Sequence, residues 1–281
     1  MSELLRVENI NYKYDENIVA LKNVSATFRA GERVAVLGSN GAGKSTFFLC
    51  CNGVLQPRSG KIFYKGNEIT GSKKDKYLLK QAVGLVFQDP DSQIIAGSVE
   101  SEVSFGPMNL RLSNDEVSRR VEQSLEQMNI GGYRDYAPQY LSGGEKKRVS
   151  IADILAMRPE MILFDEPSAS LDPKNADALE GILEGLSGAG ITIVISTHDV
   201  NFAYRIAQRA IVFARGEIIA DAGIDEVFVS DKTLEAAGLK KPLLYEAFEY
   251  LYDNFSIITP ASKKPRTIDE FKKYARGMIA T

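Results

Sequence analysis

The chain has 281 residues, enough for one large domain or two modest ones with a real core. It is 44% hydrophobic and 25% charged, and its net charge of −3 argues against the concentrated basic face that nucleic-acid binding needs. Cys50 and Cys51 are adjacent, so a bridge between them is disfavoured and they read as small core residues in a reducing compartment.

No apolar run approaches the roughly 18 residues of a membrane span. Met1-Ser2-Glu3 lacks the basic and apolar regions of a signal peptide, so a cytosolic location is expected unless something tethers the chain. Residues 4–10 and 24–28 are partly alternating and read as strands of an N-terminal β layer, with Ala30-Gly31-Glu32 as a turn. Residues 33–37 form a short apolar run that ends in glycine, the pattern of a buried parallel strand feeding a loop. A helix is expected over 44–54, and residues 61–87 return to strand character. Ser113 with Glu116 makes a capping box, and Val117, Val121, Leu125 and Met128 follow at helical spacing, so 113–130 reads as a helix. Residues 146–157 read as another, and 161–164 and 191–195 as two more buried strands.

Strands alternating with helices predict an α/β fold with a parallel sheet. The stretch 90–157 is largely helical and is expected to form its own lobe within a main domain of residues 1–225. A separate helical extension is expected over 226–281, with Pro242 and Pro260 as breakers. In it Leu243, Leu244, Ala247 and Leu251 lie at helical spacing, joined by Phe248, Tyr250 and Tyr252. That much apolar surface calls for a partner, either a second subunit or the chain's own domain. The basic end, with Lys263, Lys264, Arg266, Lys272, Lys273 and Arg276, reads as a solvated tail or a short surface helix.

Gly38-Ser39-Asn40-Gly41-Ala42-Gly43-Lys44-Ser45 fits the phosphate-loop pattern G-x-x-x-x-G-K-[ST], between a predicted strand and a predicted helix. Its N–H groups would cradle the α- and β-phosphates, Lys44 would reach the β- and γ-phosphates, and Ser45 would hold Mg2+, with Thr46 next in the same set. Asp165-Glu166 closes the strand 161–164, where a carboxylate points into the ligand crevice. There Asp165 would support the Mg2+ and Glu166 would act as general base on the attacking water. His198 follows the strand 191–195 on the same side and suits a γ-phosphate contact. Gln88 ends the strand 83–87, where its amide would ligate Mg2+ or water. Tyr12 and Tyr14 precede the loop, and Tyr14 is favoured for stacking on a base. A second anion-seeking turn, Leu141-Ser142-Gly143-Gly144-Glu145, opens the helix after it: Ser142 offers a hydroxyl, and Gly143 and Gly144 let backbone N–H groups approach an anion.

This order of motifs resembles the ATP-binding cassette (ABC) ATPases across roughly residues 4–225. The resemblance implies a phosphate-loop NTPase core with a parallel sheet, an N-terminal antiparallel β subdomain, a helical signature subdomain and a small C-terminal helical extension. It implies ATP hydrolysis with Mg2+ in a head-to-tail dimer, in which the Ser142 turn of one subunit closes over the ATP held by the other. Lys44, Ser45, Gln88, Ser142, Asp165, Glu166, Asp172 and His198 carry over in those roles. A narrower resemblance lies in Gln88-Asp89-Pro90-Asp91-Ser92-Gln93 and residues 99–109. These are similar to the energy-coupling-factor importers, whose ATPase grips a transmembrane coupling subunit with the region after Gln88. That implies a peripheral protein on the cytoplasmic face of the membrane that drives uptake of cobalt ion. The alternatives are nickel or a vitamin as substrate, or a soluble ABC protein acting on nucleic acid or ribosomes. Three departures stand out: Ser168-Ala169-Ser170 for the family's common Thr-Ala-Gly, Glu145 where Gln is frequent, and Asp153 where a small residue is usual. None removes a catalytic group.

Overall fold

The computed structural model describes residues 2–15, 18–169, 171–255 and 264–279, so Ser170, Pro260 and Lys263 lie outside the described residues. Ten strands form two sheets among them. The strands are β1 (Glu3–Lys13), β2 (Val19–Arg29), β3 (Arg33–Leu37), β4 (Ser59–Tyr64), β5 (Asn67–Glu68), β6 (Val83–Val86), β7 (Met161–Asp165), β8 (Thr192–Thr197), β9 (Arg209–Ala214) and β10 (Glu217–Gly223). The smaller sheet is antiparallel in the order β2-β1-β4-β5, and the larger runs β10-β9-β3-β8-β7-β6. From β9 to β6 every pairing in the larger sheet is parallel, and β10 joins its edge antiparallel to β9. Parallel pairing requires crossovers, and the helices supply them.

The helices are α1 (Lys44–Cys51), α2 (Lys73–Ala82), α3 (Val99–Asn109), α4 (Asn114–Gln127), α5 (Gly143–Ala156), α6 (Pro173–Gly188), α7 (Val200–Ile206), α8 (Ile224–Val227), α9 (Asp231–Ala237), α10 (Leu243–Phe255) and α11 (Ile268–Ile279). Helix α1 buries Phe47, Phe48, Cys50 and Cys51 in a cluster that includes Phe28 of β2, Leu163 of β7 and Phe213 of β9. The cysteines are thus core residues, and burial pushes the Cys50 thiol up to about 12. The other face of β7 and β8 packs Phe164 and Ile195 against Val103, Val121, Val149 and Leu183 of α3 to α6.

Helix α2 corrects the expectation of strand across 61–87. Ser72 accepts the N–H of Asp75, Asp75 sits in the first turn, and only Leu79 and Ala82 turn inward. A capped, lysine-rich stretch with a single narrow apolar stripe favours a surface helix over a pleated strand.

Beyond residue 225 the chain packs onto the larger sheet. Phe228, Leu234, Ala237 and Tyr245 share one buried cluster with Leu37 of β3, Val212 of β9 and Tyr204 of α7. The rings of Tyr204 and Tyr245 meet edge-on at 5.8 Å. Lys264 Nζ lies 3.4 Å from the centroid of Tyr245, and Arg266 donates to the Ala207 carbonyl at 2.8 Å and to Asp225 at 3.0 Å. The basic end is therefore tied down at Lys264 and Arg266 and continues as α11, whose Tyr274 ring meets Phe248 at 5.5 Å. At the C-terminus of α9, the Ala237 carbonyl accepts the backbone N–H of Ser39 at 3.2 Å. Leu243 and Tyr250 remain exposed.

Truncating a fully buried aromatic costs about 3–5 kcal/mol. Tyr245→Ala should accordingly lower the main thermal transition as a whole. An early partial melt that leaves the main transition in place would show that the C-terminal helices unfold by themselves.

Candidate functional site

The site lies at the carboxyl ends of β3, β7 and β8, which neighbour one another in the larger sheet. Such a row is where parallel sheets bind ligands. The phosphate loop spans the gap from β3 to α1. Gly38 has φ +149° and Gly43 φ +109°, and a Cβ on either would fall 2.5 Å from the Phe213 carbonyl or 2.6 Å from the Ala20 carbonyl. Only glycine lets the loop pass that close. Ala42 is buried and donates its N–H to the Ser39 carbonyl at 3.2 Å, while Ser39, Asn40, Gly41 and Ser45 are exposed. No side chain caps α1, so its first-turn N–H groups remain available to an anion.

Lys44 is buried and donates from Nζ to the Gly38 carbonyl at 2.7 Å and the Ser39 carbonyl at 3.2 Å. Its Nζ also lies 3.3 Å from Glu166 Oε1. Glu166 follows β7 with φ +43°, a left-handed conformation rare for a residue with a side chain. Its N–H donates to the Ser196 carbonyl at 3.0 Å and to Ser196 Oγ at 3.1 Å. That turn aims the carboxylate inward: Oε2 is 3.0 Å from His198 Nδ1, while the buried Oε1 accepts no hydrogen bond. Asp165 accepts a hydrogen bond from Ser196 Oγ. The structure thus gathers Lys44, Asp165, Glu166 and His198 into one crevice.

Ser196, which supports both carboxylates, is a residue that sequence reasoning passed over. The expected strand stopped at 195, whereas β8 runs to Thr197 and places Ser196 opposite Asp165 in the parallel register. Its signal was a hydroxyl pair at the end of an apolar run.

Tyr14 is 52% exposed, meets Tyr12 edge-on at 5.1 Å, and bonds through its hydroxyl to Thr46 Oγ1 at 3.1 Å. Its ring therefore stands beside the phosphate loop with a face open to solvent. Gln88 is exposed just past β6, and its carbonyl accepts from Lys147 Nζ at 2.8 Å.

The second turn stands apart. Among the described residues no hydrogen bond or ion pair joins 141–145 to Lys44, Glu166 or His198. Ser142 caps α5 in a capping box with Glu145, so the helix starts at Gly143 rather than near 146. Ser142 donates to Glu145 Oε2 from both N and Oγ at 2.7 Å. The hydroxyls of Tyr133 and Ser142 hold the Glu145 carboxyl down to about 2, so this departure gives α5 an ionised cap. Gly144 has a packing reason: a Cβ there would fall 2.3 Å from Asn175 Oδ1. Asn175 is in turn held by Asp172, the cap of α6, at 2.8 Å.

Asp153, the third departure, faces the segment after Gln88. Gln93 donates from Nε2 to the Ser150 carbonyl at 3.0 Å and to Asp153 Oδ2 at 3.3 Å. Buried Glu102 stands nearby, accepting the N–H groups of Ile95 and Ala96. Burial, then the Glu102 charge, push the Asp153 carboxyl up to about 7.

Residues 21–169 match the model of the ABC transporter family. The chain belongs to the ABC transporter family. As an ABC ATPase it hydrolyses ATP with Mg2+. It is 42% identical to a putative ABC transporter ATP-binding protein of Methanothermobacter marburgensis over 99% of both chains. It is 45% identical to the energy-coupling factor transporter ATP-binding protein of Methanothermobacter thermautotrophicus over 85% of this chain and 77% of that one. Among solved ABC structures, that of CbiO1 from Clostridium perfringens, part of the transporter complex CbiONQ, superposes with TM-score 0.75 at 37% identity, covering 89% of this chain and all of that one. The likeness to energy-coupling-factor ATPases read from residues 88–109 agrees with these relatives.

Above about pH 4 an unfolded Asp153 loses its proton, while the folded chain keeps it to about pH 7. Folding stability should therefore fall as pH rises through that window. Asp153→Asn should raise the unfolding free energy obtained from urea titration at about pH 8, by on the order of 4 kcal/mol, and leave it unchanged near pH 4. An equal gain at both pH values would refute the ionisation account.

Proposed function

We propose that this chain is the ATP-binding subunit of an energy-coupling-factor importer. It works in a head-to-tail pair, two copies or one copy with a close relative, at the cytoplasmic face of the membrane. Cobalt ion is the proposed cargo. The observation that carries the hydrolytic assignment is the burial of Glu166 between Lys44 and His198, with Oε1 free of any hydrogen bond.

That oxygen, ion-paired with Lys44 at 3.3 Å, is the acceptor a general base needs, and through it Glu166 would take a proton from the attacking water. His198 engages the other carboxylate oxygen through Nδ1, which leaves Nε2, when protonated, to donate to a γ-phosphate oxygen. Lys44 would exchange its loop carbonyls for the β- and γ-phosphates, and the loop N–H groups from Gly38 to Thr46 would hold the rest of the chain of phosphates. The open face of Tyr14 suits the adenine ring.

The donor set fits Mg2+: the Ser45 hydroxyl, the Gln88 amide and the Asp165 carboxylate would each offer it an oxygen. When bound, the ion neutralises charge on the β- and γ-phosphates. Ser142, Gly143 and Gly144 would complete the partner's site with a capped helix N-terminus. Their separation from the chain's own Lys44 and Glu166 supports that reading.

The membrane attachment rests on a different surface. Ile95 is 76% exposed, and Phe105 and Met108 of α3 are largely exposed as well. Apolar side chains displayed after Gln88 suit a helix of a transmembrane partner. No helix among the described residues is long and apolar enough to cross a membrane itself.

Glu166→Gln should retain ATP binding, lose about 10²–10⁴ in turnover and accumulate as a dimer on a sizing column. Turnover at the wild-type rate would remove Glu166 from the role of base. Wild-type hydrolysis should rise more steeply than linearly with protein concentration, and Ser142→Arg should poison mixed dimers. A fully active monomer would overturn the head-to-tail assignment. Vesicles carrying the assembled transporter should take up radioactive cobalt with ATP; uptake of nickel or a vitamin in its place would replace the cargo.

A further inference from the structure

Lys147 is a buried cation that the hydrolytic steps leave unused. It is 3% exposed and sits on α5, a little over one turn from the Ser142 cap. Its Nζ donates to the Phe87 carbonyl at 2.9 Å and to the Gln88 carbonyl at 2.8 Å. These carbonyls belong to the segment that leaves β6 and presents the Gln88 side chain. Sinking an ammonium group this deep costs several kcal/mol unless hydrogen bonds and opposite charges offset it. Asp89 and Asp165 supply the charges, and burial still draws the ammonium down to about 8. The same helix holds the same segment twice more, through Lys146 to Asp91 at 2.7 Å and through Gln93 to the Ser150 carbonyl.

Each α5 therefore has two attachments. In the head-to-tail reading its N-terminal turn would face the nucleotide of the other subunit, while its second turn grips the backbone of Gln88. We propose that Lys147 is a positioning residue for hydrolysis: it fixes Gln88 at the Mg2+ site of its own chain and ties that site mechanically to the Ser142 turn, so that the two nucleotide sites of a dimer respond together. The inference rests on the head-to-tail reading of the proposed function.

The test uses the purified full-length chain with Lys147 replaced by Met, which keeps the length and removes the donors, and by Gln, whose amide N–H can reach the same carbonyls. Mn2+ is the probe for the metal site, its affinity measured by electron paramagnetic resonance with ATP in the Glu166→Gln background. Lys147→Met should weaken Mn2+ by about tenfold, raise the Mg2+ needed for half-maximal hydrolysis in parallel, and leave the ATP KM within about twofold. The Hill coefficient for ATP should fall towards the non-cooperative value. Lys147→Gln should recover most of both effects, which general destabilisation would not do. Wild-type Mn2+ affinity in Lys147→Met, an unchanged Hill coefficient, or Lys147→Gln as impaired as Lys147→Met would each overturn the inference. A wild-type chain that hydrolyses no ATP, or that is fully active as a monomer, would instead overturn the proposed function beneath it.

Discussion

Burying a carboxylate is costly unless neighbouring groups replace the lost water, and Glu166 is flanked by a lysine on one side and a histidine on the other. Much of the architecture serves that arrangement. The strands β3, β7 and β8 are buried in parallel, so their carboxyl ends align and deliver Lys44, Glu166 and His198 to one place. The left-handed turn at Glu166 and the hydroxyl of Ser196 then point the carboxylate into the crevice. Low dielectric strengthens the pairings and makes any unmatched charge costly, so the site tolerates little rearrangement.

Helix α5 connects this crevice to the outside of the subunit. Among the described residues its capped N-terminus makes no hydrogen bond or ion pair with Lys44, Glu166 or His198; its second turn binds the strand exit at Gln88, and its third turn meets Gln93 through Ser150 and Asp153. Past Gln93 the chain displays Ile95 and then enters α3 with Phe105 and Met108. One helix thus touches both the segment that carries Gln88 and the segment that leads to these exposed apolar side chains. Rigid helices transmit displacement with small loss because packed interiors do not deform continuously.

The sequence was most legible where backbone geometry dictates residue type. The phosphate loop could be read because Gly38 and Gly43 pass carbonyls too closely for any Cβ, and because β3 runs apolar and buried from Val34 to Leu37. The strand ends at Asp165 and His198 were visible as polar residues closing apolar runs. Helix α2 was missed because its inward stripe is only Leu79 and Ala82, too narrow to stand out against four lysines. Ser196, Lys147 and Asp153 were illegible as functional groups: each is defined by what it meets across the fold, and short-range spacing holds no record of Gln88 lying above Lys147. The residues after 225 read as a separate extension because their apolar spacing reveals a buried face without revealing what covers it. The covering surface comes from Leu37, Tyr204 and Val212, distant in the chain.

The hydrogen bond between Ser39 and the Ala237 carbonyl makes that covering surface matter to the nucleotide. It fastens the entrance of the phosphate loop to the end of α9, and α9 rests on the same aromatic cluster that anchors α10. A cassette cut at residue 225 would uncover Leu37 and Tyr204 and leave the Ser39 N–H without this acceptor. Displacing α9 would therefore disturb the entrance of the phosphate loop through this one hydrogen bond.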